Sequence, residues 1–291
     1  MSTKLFPALA TVAATVSMIV CQSPAKAFTF TTNLTSAGVP DAKGDILLKS
    51  VTYGGKTTSD FAFVTAVNII SNTPIKSGLD PKKSTSNPED QTIKSKDNSG
   101  AASTDKGDSA SSPIVNGKAV EVSGIKNPTG ADMAAYLGNN NLNNIIDTED
   151  GGNFKLNLSF GKAVKNLLFW ERGMNSTIRV QALDATGKLI GNLLNLNSKS
   201  WGRAGYSINT QEIDRAQPVG AWGVSLADLG VNSPVSAIQV SSFGSTKGGD
   251  NGPDFKVIGA EPVPEPLTMT GLALGVSGMI AARRRRLSKN A

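Results

Sequence analysis

The residues best placed to do chemistry form an acidic run, Asp147-Thr148-Glu149-Asp150-Gly151-Gly152-Asn153, where oxygen-bearing side chains crowd beside two glycines. Hard divalent cations such as Ca2+ prefer carboxylate and carbonyl oxygens gathered on a loop of this kind. Asp147, Glu149 and Asp150 are therefore the candidate ligands of a structural calcium ion. The spacing is not that of an EF-hand, because no glycine falls at the sixth position of a twelve-residue loop that closes on Glu. A solvated turn ahead of a strand is the plainer reading. The loop Asp250-Asn251-Gly252-Pro253-Asp254 has the same character, and would approach the first run if both lay at one end of the fold. Trp170 follows Leu167-Leu168-Phe169, and Trp222 sits among Gly220, Ala221 and Gly223, so both read as core. Trp201, in the turn Ser200-Trp201-Gly202-Arg203, is the candidate surface ring for stacking on a sugar.

The absent residue types narrow the chemistry further. The chain has no histidine, and its one cysteine is Cys21, inside an N-terminal segment expected to be removed. Ser-His-Asp and Cys-His nucleophilic sites, most zinc sites, haem and iron-sulfur ligation and disulfides all need what is missing. A carboxylate pair of the glycosidase type is the enzymatic chemistry left open. Sequence spacing cannot place two such acids across a cleft, and the expectation is a protein that is not an enzyme.

The elements that would hold these residues are mostly strands. Phe28 to Asn33, Asp45 to Tyr53 and Asp60 to Ile70 carry alternating, β-branched or aromatic residues. Asn72 to Pro113 is rich in Ser, Lys, Asp, Asn, Thr, Pro and Gly with hardly an apolar residue, and is expected to be a disordered insert. A linker between two subdomains is the other reading of that length. Strand patterns resume with Lys118 to Val122, and one helix is expected at Ala131 to Leu137, stopped by Gly138. Short strands then recur at Phe154–Phe160, Val164–Trp170, Thr177–Leu183, Lys188–Leu194, Tyr206–Thr210, Trp222–Leu226, Val235–Phe243 and Phe255–Ile258, separated by Gly, Asn and Asp turns. The spacing predicts a mainly β chain, an antiparallel jelly-roll-like β-sandwich closed over one core, with one or two short helices.

Both ends carry signals that stand apart from that domain. Lys4, the apolar stretch Leu5 to Val20 and Ala25-Lys26-Ala27 form a charged n-region, an h-region and a small-x-small cleavage site. Residues 1–27 are expected to be a signal peptide cut between Ala27 and Phe28. A lipid anchor on Cys21 is disfavoured, since Val20 stands where a lipobox wants a small residue. At the other end, Pro264-Glu265-Pro266 precedes the uncharged run Leu267 to Ala282 and the block Arg283-Arg284-Arg285-Arg286. As a helix the run would reach ~24 Å at the usual rise per residue, short of the ~30 Å hydrocarbon core of a bilayer. Positive residues beside such a span stay on the cytoplasmic side, which places the preceding domain outside. These end segments also explain the charge. The formal net charge is +6, with 29 basic and 23 acidic residues. Seven of the basic ones are Lys4, Lys26, the four terminal arginines and Lys289, so residues 28–266 are close to neutral. No basic stripe remains for a nucleic acid partner.

The ordered tail, Pro264-Glu265-Pro266, apolar run and arginine block, resembles the PEP-CTERM sorting signal. That resemblance implies recognition of Pro264, Glu265 and Pro266 by a membrane-embedded exosortase, with Arg283 to Arg286 as stop and orientation residues. The stretches Leu168 to Ser176, Val180 to Asp184 and Trp222 to Leu229 are similar to cyanobacterial exosortase-dependent surface proteins, which implies a β-rich fold and a surface location but no catalytic or binding residues. The expected organisation is a signal peptide (1–27), a β-sandwich domain (28–260) with an insert (72–113), and a sorting segment (261–291). The expected role is an exported cell-surface or extracellular-matrix protein with a structural or adhesive function. The inner membrane would hold its precursor through the apolar helix. A carbohydrate-binding module of an exopolysaccharide matrix, with a structural calcium ion, is the alternative.

Overall fold

The computed structural model describes residues 28–74, 102–106, 109–115, 118–119, 125, 127–148, 152–210, 215–244 and 249–261. The expected signal peptide (1–27), the segment 75–101, and residues 262–291, with the expected sorting residues Pro264, Glu265, Pro266 and Arg283 to Arg286, lie outside the described residues. No helix among the described residues is long and apolar enough to cross a membrane.

In chain order the elements are β1 (Thr31–Leu34), β2 (Leu48–Tyr53), β3 (Lys56–Thr58), β4 (Phe61–Ala62), β5 (Val64–Asn72), β6 (Ala102–Lys106), β7 (Ile114–Val115), β8 (Lys118–Ala119) and α1 (Gly130–Leu137). There follow β9 (Asn144–Thr148), β10 (Asn153–Val164), β11 (Asn166–Arg172), β12 (Ile178–Leu183), β13 (Leu189–Leu196), β14 (Gly202–Ile208), β15 (Gln217–Ser225), β16 (Val235–Phe243) and β17 (Asp254–Ala260). The chain is mainly β with antiparallel sheets, consistent with a sandwich. A five-stranded sheet runs β13-β12-β16-β10-β5, and a seven-stranded sheet runs β14-β15-β11-β17-β9-β6 with β4 joined to β17. A three-stranded sheet, β1-β2-β3, and a β7-β8 pair complete the set.

Side-chain alternation explains how these sheets stack. In β10 every second residue, Phe154, Leu156, Leu158 and Phe160, is buried while Lys155, Asn157 and Ser159 are half-buried. That is the signature of a sheet with one face on a core and one toward water. The inward face packs on Leu167 and Phe169 of β11, Phe255 and Val257 of β17, and Val224 of β15. β11 and β17 differ, since every residue in both is buried. Their alternate residues, Leu168, Trp170, Ile258 and Ala260, face a second apolar cluster with Phe30, Ile46, Leu48 and Val51. The Phe30 and Trp170 rings meet edge-on at 5.3 Å, and Trp170 Nε1 donates to Thr32 Oγ1 at 2.9 Å. The expectation of two sheets over one core is thereby corrected. The seven-stranded sheet is covered on both faces, so the described residues form two cores.

Two further expectations change. Ala102–Lys106, placed in the disordered insert, is β6, paired along its length with β9. Polar side chains hid it, because strand pairing here is set by the partner and not by apolar alternation. Asp147 and Thr148, read as the start of an acidic loop, end β9 (Asn144–Thr148), which is buried throughout.

α1 starts where a capping box should form. Thr129 accepts from the Asp132 amide at 3.3 Å, and the Thr129 amide donates to Asp132 Oδ2 at 2.7 Å. Met133 and Leu137 enter the core between the two large sheets, and the helix lies along the edge of β5. The approach is close enough to require glycine at both ends. A Cβ on Gly130 would stand 2.1 Å from Val67 O, and one on Gly138 2.8 Å from Val64 O. At the opposite edge of that sheet β13 bulges at Gly191, φ 66°, and the Asn192 amide donates to Leu229 O at 2.7 Å.

Alanine at an ordinary helical glycine is worth about 1 kcal/mol of propensity. At Gly130 the clash is with backbone, and overpacking costs about 1–3 kcal/mol. Gly130→Ala is therefore expected to lower stability in chemical denaturation; a gain would mean that α1 does not press on β5.

Candidate functional site

The acidic residues singled out from the sequence come together, but around a guanidinium. Arg172 closes β11, Asp254 opens β17 and Asp147 lies in β9, and β11-β17-β9 are consecutive strands. Arg172 Nε donates to Asp254 Oδ2 at 2.9 Å, and Nη2 lies 2.8 Å from the same oxygen and 3.0 Å from Asp147 Oδ1. Arg172 Nη1 donates to Thr210 Oγ1 at 2.6 Å. The other Asp254 oxygen accepts the Thr148 amide at 3.0 Å, and Thr148 Oγ1 donates to Pro253 O at 2.8 Å. The two acidic stretches thus do share one end of the fold, at a buried ion-pair network. Arg172 is 2 % exposed, Asp147 4 % and Asp254 8 %.

This arrangement corrects the calcium assignment at Asp147. Its carboxylate is held by Arg172, and a divalent cation at the same oxygens would sit against a fixed positive charge. Glu149 and Asp150 lie outside the described residues. Among the described residues no group of acidic, His or Cys side chains is arranged to hold a metal ion. Asp250 is likewise engaged, accepting from Arg179 Nε and Nη2 at 2.9 Å each and from the Phe243 amide at 2.8 Å.

Trp201 is corrected as well. Its ring is 7 % exposed and belongs to the core between the two large sheets, and Nε1 donates to Ser176 O at 3.2 Å. Glycine at 202 suggested a turn, but Gly202 opens β14 and turns the ring inward. Trp170 is core as read, and Trp222 is half-buried against the same cluster as Trp201.

Two buried carboxyls were not singled out. Glu171 faces the core opposite to its neighbour Arg172, as strand alternation demands. After β11 the chain turns through Gly173 and Met174, both with positive φ, and returns Ser176 so that its hydroxyl donates to Glu171 Oε1. Glu171 Oε2 has no hydrogen-bond partner among the described residues. Burial pushes the Glu171 carboxyl up to about 8, against a smaller downward effect of Ser176. Asp105, in β6, is pushed up to about 7, chiefly by burial, with Arg172 opposing it. Burial also holds Asp254 well above the ordinary carboxylate range. Asp105, Asp147 and Asp254 share one guanidinium, so protonation relieves the excess negative charge. Lys256 is fully buried, donates to Tyr136 O and to Asn139 Oδ1, and is held well below the usual lysine value by burial. Only the pairing of Glu171 with Arg172 hinted at this in the sequence, and nothing there set them on opposite faces of a sheet buried on both sides.

A perturbed carboxyl is a catalytic candidate when substrate can reach it. Glu171 is 0 % exposed and Asp105 2 %, so both carboxyls lie beneath the surface. An open concavity of about 380 Å³ lies elsewhere, lined by Thr29, Phe30, Thr31 and Thr52 to Gly55, and none of those side chains is charged.

Removing one partner of a buried ion pair typically costs about 3–5 kcal/mol. Arg172→Met leaves Asp147 and Asp254 buried without their cation, and a loss of that size is expected in urea denaturation. The Glu171 carboxyl binds its proton more tightly folded than unfolded. Its contribution to stability is therefore undiminished below its ordinary value of 4.5 and is lost as pH rises through about 8. Lys256 acts with the opposite sign at alkaline pH, so the informative comparison is with Glu171→Gln. The drop in stability between about pH 5 and pH 9 should be smaller in that variant; an equal drop would show that Glu171 does not titrate with folding.

No protein-family model, no curated protein and no solved structure matches this chain.

Proposed function

We propose that this chain is an exported protein sorted to the cell surface or extracellular matrix by an exosortase, where it serves a structural or adhesive role. The observation that carries the reading is the order of the tail. Proline on both sides of Glu265 favours an extended backbone there, Leu267 to Ala282 is uncharged, and Arg283 to Arg286 follow at once. Under this reading the signal peptide ending at Ala27 exports the domain, the apolar run holds the precursor in the inner membrane, and processing near Pro264-Glu265-Pro266 releases it. We read the stacked sheets as a jelly-roll-like sandwich acting as the displayed body.

A structural role is supported by where the acidic side chains are used. Asp147 and Asp254 are spent on Arg172, and Asp250 on Arg179. Phe28, the residue after the expected cleavage, also has a fixed place. Its amide and carbonyl exchange hydrogen bonds with Gly223 at 2.9 and 2.8 Å, and its ring lies 4.0 Å from that of Tyr53.

Deleting the chain from Pro264 onward in the native host should abolish surface display, read by labelling of intact cells, while the domain still folds. Display at the parental level would sink the proposal.

A further inference from the structure

We propose that the outward face of the five-stranded sheet binds a uronate-bearing polysaccharide laid across its strands. The inference deepens the proposed surface role, which supplies only the place where such a polymer is met.

The face carries a row of side-chain amides at one register. Asn68 of β5 pairs with Asn157 of β10, Asn157 with Gln239 of β16, and Gln239 with Gln181 of β12. All four lie on the side away from the core, half-buried or exposed. Strand spacing makes the row ~14 Å long, the reach of a short oligosaccharide. Gln239 Nε2 donates to Asn157 Oδ1 at 2.9 Å, and Gln181 Nε2 donates to Gly191 O at 3.1 Å. These bonds fix how the amides point. Each amide has two N–H donors and two acceptor lone pairs, so donors and acceptors remain for the paired hydroxyls of sugars. The register line beyond, Ala66, Ser159 and Ala237, is of small residues, which leaves the surface low enough for a chain to lie across it.

Charge selects the kind of polysaccharide. The five strands contain Lys155, Lys162 and Arg179 and no Asp or Glu, whereas the seven-stranded sheet holds Asp105, Asp147, Glu171 and Asp254. Lys162 is paired with Asp60 and Arg179 with Asp250. Lys155 lies one register step from the amide row and makes no ion pair among the described residues. It is placed to meet a carboxylate on a sugar hydroxyl-bonded to that row. At the margin the Phe243 ring is 42 % exposed, with the Arg179 guanidinium 5.0 Å from its centre, and its open face suits the C–H side of a pyranose. A single-stranded nucleic acid would want a run of aromatic rings on which successive bases stack, and among the described residues this face offers one ring, Phe243, at its margin. A protein interface would want a buried aromatic or aliphatic centre, and this face has amides there.

The test is affinity electrophoresis and calorimetry of the full-length chain in mild detergent, with polygalacturonate oligomers as probe and cello-oligosaccharides and single-stranded DNA as controls. Binding of the uronate oligomers is expected. Lys155→Glu and Gln239→Ala should each weaken it by about tenfold, the effect of losing one hydrogen bond in which a partner is charged or desolvated, with unchanged thermal midpoints because both side chains face water. No binding by the parent chain, equal binding of the neutral oligosaccharide, preferential binding of the DNA, or uronate binding untouched by both substitutions would each overturn the proposal. These outcomes leave the Pro264 deletion result unaffected, so failure of the glycan face and failure of the sorting reading are told apart.

Discussion

Arg172 sits where a strand buried on both faces runs out of apolar partners. Toward the Ala260 end of β17, β11 meets Ile258 and Ala260 and packs against the N-terminal strands; toward the other end it meets Asp254 and, one strand further, Asp147. A charge in that position is costly unless every donor is taken. The guanidinium fork meets the demand with two carboxylates and the Thr210 hydroxyl. Consecutive strands of the middle sheet are thereby joined through side chains as well as through the backbone ladder. The sheets on either side press against a surface whose registry this network fixes.

Charge is distributed by layer. The middle sheet contains carboxyls that burial keeps near or above neutrality, together with a lysine whose ammonium is disfavoured. The outer five-stranded sheet keeps its ionic groups at the periphery and presents amides at its centre. Interior ionic groups of this kind are weak contributors to net stability, yet they penalise slipped pairings heavily, because a shift of one residue would turn Arg172 into one core and Glu171 into the other.

Much of the outer sheet was legible in the residues, since alternation along Phe154 to Phe160 or Val235 to Phe243 is imposed by having one wet face. The helix α1 was legible for a similar reason: its apolar stripe and its stop are local. The middle sheet was not. β9 and β6 are polar strands, and their identity comes from partners distant in the chain. Asp147 looked like a metal ligand because a linear sequence shows carboxylates close together but not the arginine that folds between them. Trp201 looked exposed because glycine usually marks a turn; here Gly202 begins a strand, and the ring just before it is buried in the core. The two acidic stretches did converge as the shared-end reading anticipated, although on an arginine and not on a cation.

The helix along β5 and the Leu229 carbonyl against β13 have a bearing on crowding. Open strand edges are the usual route by which β proteins join end to end. Here one border of the outer sheet is occupied by a helix that touches its carbonyls through glycines, and the other is interrupted by a bulge whose central amide is already engaged. Densely packed molecules would not extend the five-stranded sheet through either of these two borders.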